Sequence, residues 1–114
     1  MSIECVPSKI DPKVNITALS GRLAVETEAQ LRPQLLQVIR QSSHGLILDL
    51  AAVNFVSSAG LRLLLEIYKS AASAGIKIAM IHPQPEIHKL FKLASLDATF
   101  SVHDNEEEAI KAIG

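Results

Sequence analysis

The sequence predicts a single α/β domain, residues 1–114, built on a mostly parallel sheet. Three observations support this fold class. Short apolar runs alternate with longer segments of helical periodicity, and no linker-like, repeated or low-complexity segment interrupts them. The run GLILDL is apolar almost throughout, which is typical of a strand buried on both faces of a parallel sheet. The predicted order is β-β-α-β-α-β-α-β-α, with about four helices.

Two strands and a helix are predicted in the first third of the chain. The strands cover residues 3–6 and 14–19, and the short turn between them predicts an antiparallel N-terminal pair. Thr27 and Gln30 have the spacing of a capping box, so the first helix is expected to begin at Thr27 and end near residue 41. Pro33 lies beyond the first turn, where proline kinks or loosens a helix.

The middle of the chain predicts a buried strand followed by an amphipathic helix. The strand covers residues 45–50. The helix begins at Ser58, carries leucines at helical spacing, and ends before Gly75, which is suited to the position just past a helix end.

The last third predicts two short strands and two helices. The strands cover residues 76–81 and 99–102, and a helix with an apolar face covers the region of residues 87–94. Asp104 with Glu107 has the pattern of a cap for the final helix.

Composition excludes several classes of function. Eleven basic and twelve acidic residues give a net charge of −1, so no basic field is available for nucleic acid or an anionic membrane. Cys5 is the single cysteine, and the four histidines lack ligand spacing, so neither a metal site nor a cofactor is expected. The N-terminus lacks the pattern of a signal peptide, and no apolar stretch is long enough to span a bilayer. A cytoplasmic domain without membrane insertion is expected.

The stretch NFVSSAGLRLLL places Ser57 and Ser58 where a strand ends and a helix begins. In a parallel sheet, functional groups gather beyond the carboxyl ends of the strands. A serine at a helix start is usually a cap, but one cap uses only one hydroxyl. If Ser57 is the cap, Ser58 is the first helical residue and its side chain faces solvent.

Three roles for the second hydroxyl can be compared. A nucleophile is disfavoured because Phe55 and Val56 precede the serines where a nucleophile elbow requires a glycine, and no triad partners stand out. A phosphate-binding loop is excluded because the stretch has one glycine and no following lysine. The remaining role is that Ser58 accepts a phosphate covalently. The helix dipole would tolerate this charge, whereas a docked partner would meet a new dianion.

Asp49 lies within an apolar strand, where a carboxylate needs a partner. It either accepts hydrogen bonds from loop amides at the strand end or lies beside Ser58 as a supporting acid, and both roles can hold together.

The residues that follow Gly45 resemble the STAS domain. The matching features are Asp49-Leu50, Phe55 and the motif Ser58-x-Gly60-Leu61. The segments ITALSGRL and IHKLFKLASLDATFSVHDNEEEAI also resemble that family, so the resemblance covers essentially the whole chain. It implies a mostly parallel sheet with helices.

Within this family, the chain resembles the stand-alone bacterial form, the anti-sigma factor antagonist, which is a non-enzymatic regulator of transcription and signal transduction. The resemblance implies that a kinase that is also an anti-sigma factor phosphorylates Ser58, and that a serine phosphatase removes the phosphate. Unphosphorylated, the domain binds this partner and frees a sigma factor. The implied docking surface comprises Gly21, Arg22, Leu23, Ala24, Asn54, Phe55, Ser57, Gly60, Leu61 and Arg62.

Two positions depart from the family pattern. Ser57 stands where members commonly have Asp, and Ala24 stands where an acid is frequent. The first departure makes Ser57 a second candidate acceptor. A second hypothesis is therefore a STAS accessory subunit that takes no phosphate and binds a transporter ATPase or a signalling assembly. A third, a small hydrolase using Ser57 or Ser58, requires a histidine and a carboxylate near either hydroxyl.

Overall fold

The computed structural model describes residues 2–42 and 44–114, which form five strands and four helices in the predicted order. The elements are β1 Ser2–Pro7, β2 Val14–Leu23, α1 Val25–Gln41, β3 Gly45–Val56, α2 Ser58–Ser73, β4 Lys77–Ile81, α3 Pro85–Leu93, β5 Val102–His103 and α4 Glu106–Ile113.

The strands form one sheet in the order β1-β2-β3-β4-β5. β1 pairs antiparallel with β2, and the other three pairs are parallel, which confirms the predicted fold class. A short turn suffices to reverse the chain between β1 and β2, whereas parallel neighbours need a longer crossover, here supplied by a helix. The long pairing of β2 with β3 brings two strand ends together at one edge.

Two apolar layers enclose the sheet. The larger layer packs α1, α2 and α3 against one face, with Leu35, Leu64 and Phe91 fully or almost fully buried. Phe91 stacks edge-to-face on Phe100, with ring centroids 5.1 Å apart. The smaller layer packs α4 against the opposite face, where Ile113 lies among buried residues of β2, β3 and β4.

The predicted start of α1 is wrong by two residues. The helix begins at Val25 and its N-cap is Ala24, while Thr27 is the third helical residue. The Thr27 hydroxyl accepts a hydrogen bond from the Ala24 amide at 3.1 Å and donates to the Arg22 carbonyl at 2.7 Å. Thr27 thus stabilises the helix start from inside the helix. Pro33 lies within α1, which ends at residue 41 as predicted.

β2 and β3 extend further than the sequence predicts. Leu23 pairs with Val56, beyond two irregularities in the register at residues 18–20 and 21–22. These irregularities break the simple alternation of inward and outward side chains by which a strand is recognised. The sequence pattern is lost at these irregularities, but both strands continue past them to the point where a helix begins.

Two predictions near the C-terminus are also corrected. The cap of α4 is Asn105, not Asp104, because the Asn105 side chain accepts a hydrogen bond from the Glu108 amide at 2.8 Å. β5 covers only residues 102–103, since the preceding residues 97–101 form turns in which Ser101 has a φ of 51°. Gly75, with a φ of 75°, follows the C-cap Ala74 of α2 as predicted.

Thr17 is a buried polar residue, and its replacement measures the cost of an unpaired hydroxyl in the core. It lies fully buried in β2, and its hydroxyl has no hydrogen-bond partner within residues 2–42 and 44–114. Replacing Thr17 with valine keeps the shape and removes the unpaired hydroxyl, so the free energy of unfolding should rise by about 1 kcal/mol in urea denaturation. Thr27→Val is the matched control and should lower it by about 1 kcal/mol, because that hydroxyl is hydrogen-bonded. Two equal losses would contradict this account of Thr17.

Candidate functional site

The candidate site lies at the carboxyl ends of β2 and β3, where α1 and α2 begin. Leu23 ends β2 beside Val56, which ends β3. Because the two strands are parallel, the joint that follows each of them lies at the same edge of the sheet. The residues around Ala24 and around Ser57 are therefore neighbours, although they are far apart in the sequence.

Ser57 fixes the start of α2 to the end of β2. Its hydroxyl accepts a hydrogen bond from the Gly60 amide at 3.2 Å, which makes it the N-cap. Its backbone N–H donates to the Leu23 carbonyl at 2.9 Å, and its hydroxyl lies 3.4 Å from the same oxygen. Ser58 is the first residue of α2 and is exposed. The predicted division between a capping serine and a solvent-facing serine is confirmed.

Gly60 allows the first turn of α2 to lie directly against β2. A Cβ added at this position would stand 2.2 Å from the Leu23 carbonyl oxygen and 2.8 Å from the Leu23 carbonyl carbon. No side chain fits at that distance from backbone atoms. Gly60 therefore acts through packing, because it lets the start of α2 contact the end of β2.

The cap and the exposed serine should differ in their effect on stability. Ser57→Ala removes the hydrogen bond to the Gly60 amide and should lower the free energy of unfolding by about 1 kcal/mol. Ser58→Ala, at an exposed position without such a contact, should change it by less than about 0.5 kcal/mol. Urea denaturation of both variants measures the difference. A larger loss for Ser58→Ala would reverse the assignment of the cap.

Arg22, Phe55 and Glu26 form one exposed cluster beside the serines. The Arg22 guanidinium lies 4.2 Å from the centroid of the Phe55 ring, a distance suited to a cation–π contact. Its Nε donates a hydrogen bond to the Glu26 carboxylate at 2.9 Å, and this bond lowers the pKa of Glu26. Phe55 remains 40% exposed. The cluster thus presents an aromatic ring and a paired cation at the strand ends.

A family model for the STAS domain matches residues 6–109 of the chain. The chain belongs to the STAS domain family. This confirms the resemblance drawn from Asp49-Leu50, Phe55 and Ser58-x-Gly60-Leu61.

The STAS domain described here is similar to proteins from several bacteria. It is 32% identical over 99 residues to the anti-sigma F factor antagonist of Paenibacillus polymyxa, covering 85% of this chain and 84% of that protein. A solved anti-sigma factor antagonist from Mycobacterium paratuberculosis is 26% identical with a TM-score of 0.80, covering 98% of this chain and 94% of that one. The Bacillus cell fate determinant SpoIIAA, solved in its phosphorylated form, is 21% identical with a TM-score of 0.69, covering 99% of this chain and 100% of that one.

The STAS domain brings the residues of the predicted docking surface together, but not all of them reach solvent. Leu23, Ala24 and Gly60 are buried, so they support the site from beneath its surface. Gly21, with a φ of 98°, and Leu61 are half-buried. The exposed members are Arg22, Asn54, Phe55 and Arg62, and Ser58 lies exposed among them.

Asp49 is not brought to the serines. Its carboxylate accepts a hydrogen bond from the Ala51 amide at 3.0 Å, within β3 itself. β3 continues for seven residues past Asp49, alongside the five residues of β2 that follow Ala18, so at about 3.3 Å per residue Asp49 lies more than about 15 Å from Ser57. The prediction that Asp49 supports Ser58 is therefore wrong, and its local role in binding a backbone amide is the one observed.

Two exposed residues of the site were not predicted. Val25, 73% exposed, and Glu26 open α1 next to the serines. Starting α1 at Thr27 left both in a loop without a defined place. The signal in the sequence was the spacing of Thr27 from Ala24, which fits a helix that begins after Ala24.

The described residues contain neither a metal-binding cluster nor a membrane-spanning helix. Within the ranges 2–42 and 44–114, no three or more histidine, cysteine or acidic side chains group closely enough to hold a metal ion. None of the helices described is both long and apolar enough to cross a bilayer.

Proposed function

We propose that this STAS domain is an anti-sigma factor antagonist that works by partner switching. While Ser58 is unmodified, the domain binds an anti-sigma factor that is also a serine kinase. Phosphorylation of Ser58 releases it, and a serine phosphatase restores the binding form. The observation that carries the proposal is that Ser58, the first residue of α2, is exposed among the exposed residues of the proposed docking surface.

The contacts of the two serines support Ser58 as the acceptor. Ser57 is half-buried, and its hydroxyl is engaged with the Gly60 amide and lies near the Leu23 carbonyl. Phosphorylating Ser57 would disrupt the cap that starts α2. The Ser58 side chain makes no hydrogen bond to any residue in the ranges 2–42 and 44–114, so a kinase can reach it without loosening the helix. The names of the relatives from Paenibacillus polymyxa and Mycobacterium paratuberculosis agree with the antagonist role.

The chemistry proposed requires no catalytic group from this chain. The Ser58 oxygen attacks the γ-phosphorus of ATP, and an O–P bond forms as the bond to the β,γ-bridging oxygen breaks. ADP leaves, and a base of the kinase accepts the hydroxyl proton. The phosphatase later uses water to return the serine and release inorganic phosphate. The domain is thus a substrate and a ligand, and we infer a non-enzymatic role in the bacterial cytoplasm.

The expected effect of the phosphate is on docking rather than on the fold. The first turn of α2 contains no acidic residue, and negative charge at a helix N-terminus is favourable. A phosphoserine adds about −1.5 to −2 charges at pH 7. A partner docked over Phe55 and Arg62 would have to desolvate that charge, so the complex weakens while the domain stays folded.

The acceptor can be assigned by intact mass. The full chain is incubated with ATP and the cognate kinase, identified by co-purification from native cells and assayed for activity. Wild type and Ser57→Ala should each gain one phosphate, and Ser58→Ala should gain none. If Ser58→Ala is phosphorylated and Ser57→Ala is not, the acceptor is Ser57 and the proposal fails in this form.

The second candidate is a STAS accessory subunit that takes no phosphate and binds a transporter ATPase or a signalling assembly. The observation that favours it is Ser57, which caps α2 where family members commonly have Asp. Genes for a kinase and a phosphatase beside this gene would support the switch, and transporter genes would support the accessory subunit.

A further inference from the structure

Arg62 differs from the other arginines of the chain. It is exposed on α2 and makes no hydrogen bond or ion pair with any residue in the described ranges. The other three arginines are each held by a side chain: Arg22 by Glu26, Arg32 by Glu28 and Glu66, and Arg40 by Gln37.

The position of Arg62 relates it to Ser58. The two residues are four apart on α2, so they lie one turn apart on the same side of the helix. Side chains of a helix lean toward its N-terminus, so the exposed Arg62 side chain can reach the turn that carries Ser58. An acidic group that precedes a basic one by four residues is also the more stabilising order on a helix. A phosphate on Ser58 would be that acidic group.

The carboxylate that could compete for Arg62 is already engaged. Glu66 follows Arg62 by four residues, but this is the less favourable order. Its carboxylate accepts a hydrogen bond from Arg32 Nε at 2.9 Å, which ties α2 to α1. The hydrogen bond of Arg32 to Glu28, and after it the one to Glu66, raises the pKa of Arg32. Arg62 is therefore left as a cation for a group that the unmodified chain lacks.

We propose that Arg62 is the internal counter-ion of the phosphate on Ser58. This inference rests on the proposed function and names the residue that sets the charge of the switch. Before phosphorylation, Arg62 presents a cation to the partner. Afterwards it pairs with the phosphate through charge-assisted hydrogen bonds, for which the planar guanidinium is well suited. One modification thus adds a negative group to the docking surface and withdraws a positive one.

The test installs phosphoserine at position 58 during synthesis of the full chain, so that no kinase is required. The second pKa of the phosphate is followed by ³¹P NMR in wild type, Arg62→Gln, Arg62→Lys and Lys69→Gln. A neighbouring cation favours the dianion, so Arg62→Gln should raise this pKa by about half a unit relative to wild type. Arg62→Lys should give an intermediate value. Lys69→Gln, a charge loss farther along α2, should titrate as wild type.

A second readout follows the arginine itself. The Nε–H resonance of Arg62 should shift across the titration of the phosphate in wild type, and those of Arg22, Arg32 and Arg40 should not follow it. Equal phosphate pKa values in wild type and Arg62→Gln, or an Arg62 resonance that ignores the titration, would overturn the inference. Because the phosphate is installed by synthesis, such a result leaves Ser58 as acceptor intact. A kinase that ignores Ser58 would instead refute the proposed function and leave the pairing measurable.

Discussion

Replacing Gly60 with alanine is expected to lower the free energy of unfolding by about 3 kcal/mol. The added Cβ would lie 2.2 Å from the Leu23 carbonyl oxygen, a backbone atom that cannot rotate away. Either α2 moves away from β2, which breaks the hydrogen bond from the Ser57 amide to the Leu23 carbonyl, or the strand end shifts. Urea denaturation of wild type and Gly60→Ala measures the loss.

Gly75→Ala is the matched control for this substitution. Gly75 has a φ of 75°, but a Cβ there would meet no atom within 4 Å. Its replacement carries only the strain of a left-handed backbone, about 1–2 kcal/mol. If Gly60→Ala is no more destabilising than Gly75→Ala, the close approach of α2 to β2 is not the reason for the glycine.

Replacing Ser58 with aspartate is expected to weaken binding of the anti-sigma factor at least tenfold relative to Ser58→Asn. The two side chains have nearly the same shape, so the difference isolates the negative charge at the docking surface. A tenfold change corresponds to about 1.4 kcal/mol, less than a charge usually costs when it is buried unpaired at an interface. Calorimetric titration of the purified partner with each variant measures it.

The stability of the same variants shows whether the charge acts on docking alone. Ser58→Asp should unfold within about 0.5 kcal/mol of Ser58→Asn, because a negative charge at the first turn of α2 is favourable. The difference in affinity should shrink as salt is added, because position 58 is exposed and salt screens a charge there. Equal affinities of the two variants at low salt would remove the electrostatic mechanism.

The order of strands and helices could be predicted because it follows from local patterns. Apolar runs such as residues 45–50 identified the buried strands, and Gly75 identified the end of α2. The ends of β2 and β3 could not be predicted in the same way. The pairing of Leu23 with Val56 depends on contacts between distant segments, and two irregularities in register hide it from the sequence pattern.

The candidate site shows the same division. The roles of Ser57 and Ser58 as cap and exposed hydroxyl could be predicted, because a helix start needs one capping side chain. The position of Asp49 was wrong because β3 continues well past it. The contact of Gly60 with Leu23 joins α2 to β2, so it could not be predicted from the residues around Gly60 alone.

The phosphorylation state of Ser58 in native cells tests the central claim most directly. An affinity-tagged copy of the protein is isolated, its partner-bound and free pools are separated, and each pool is analysed by intact mass and fragmentation. The account predicts an unmodified Ser58 in the bound pool and a single phosphate on Ser58 in the free pool. Phosphate on Ser58 in equal proportion in both pools, or phosphate confined to Ser57, would contradict it.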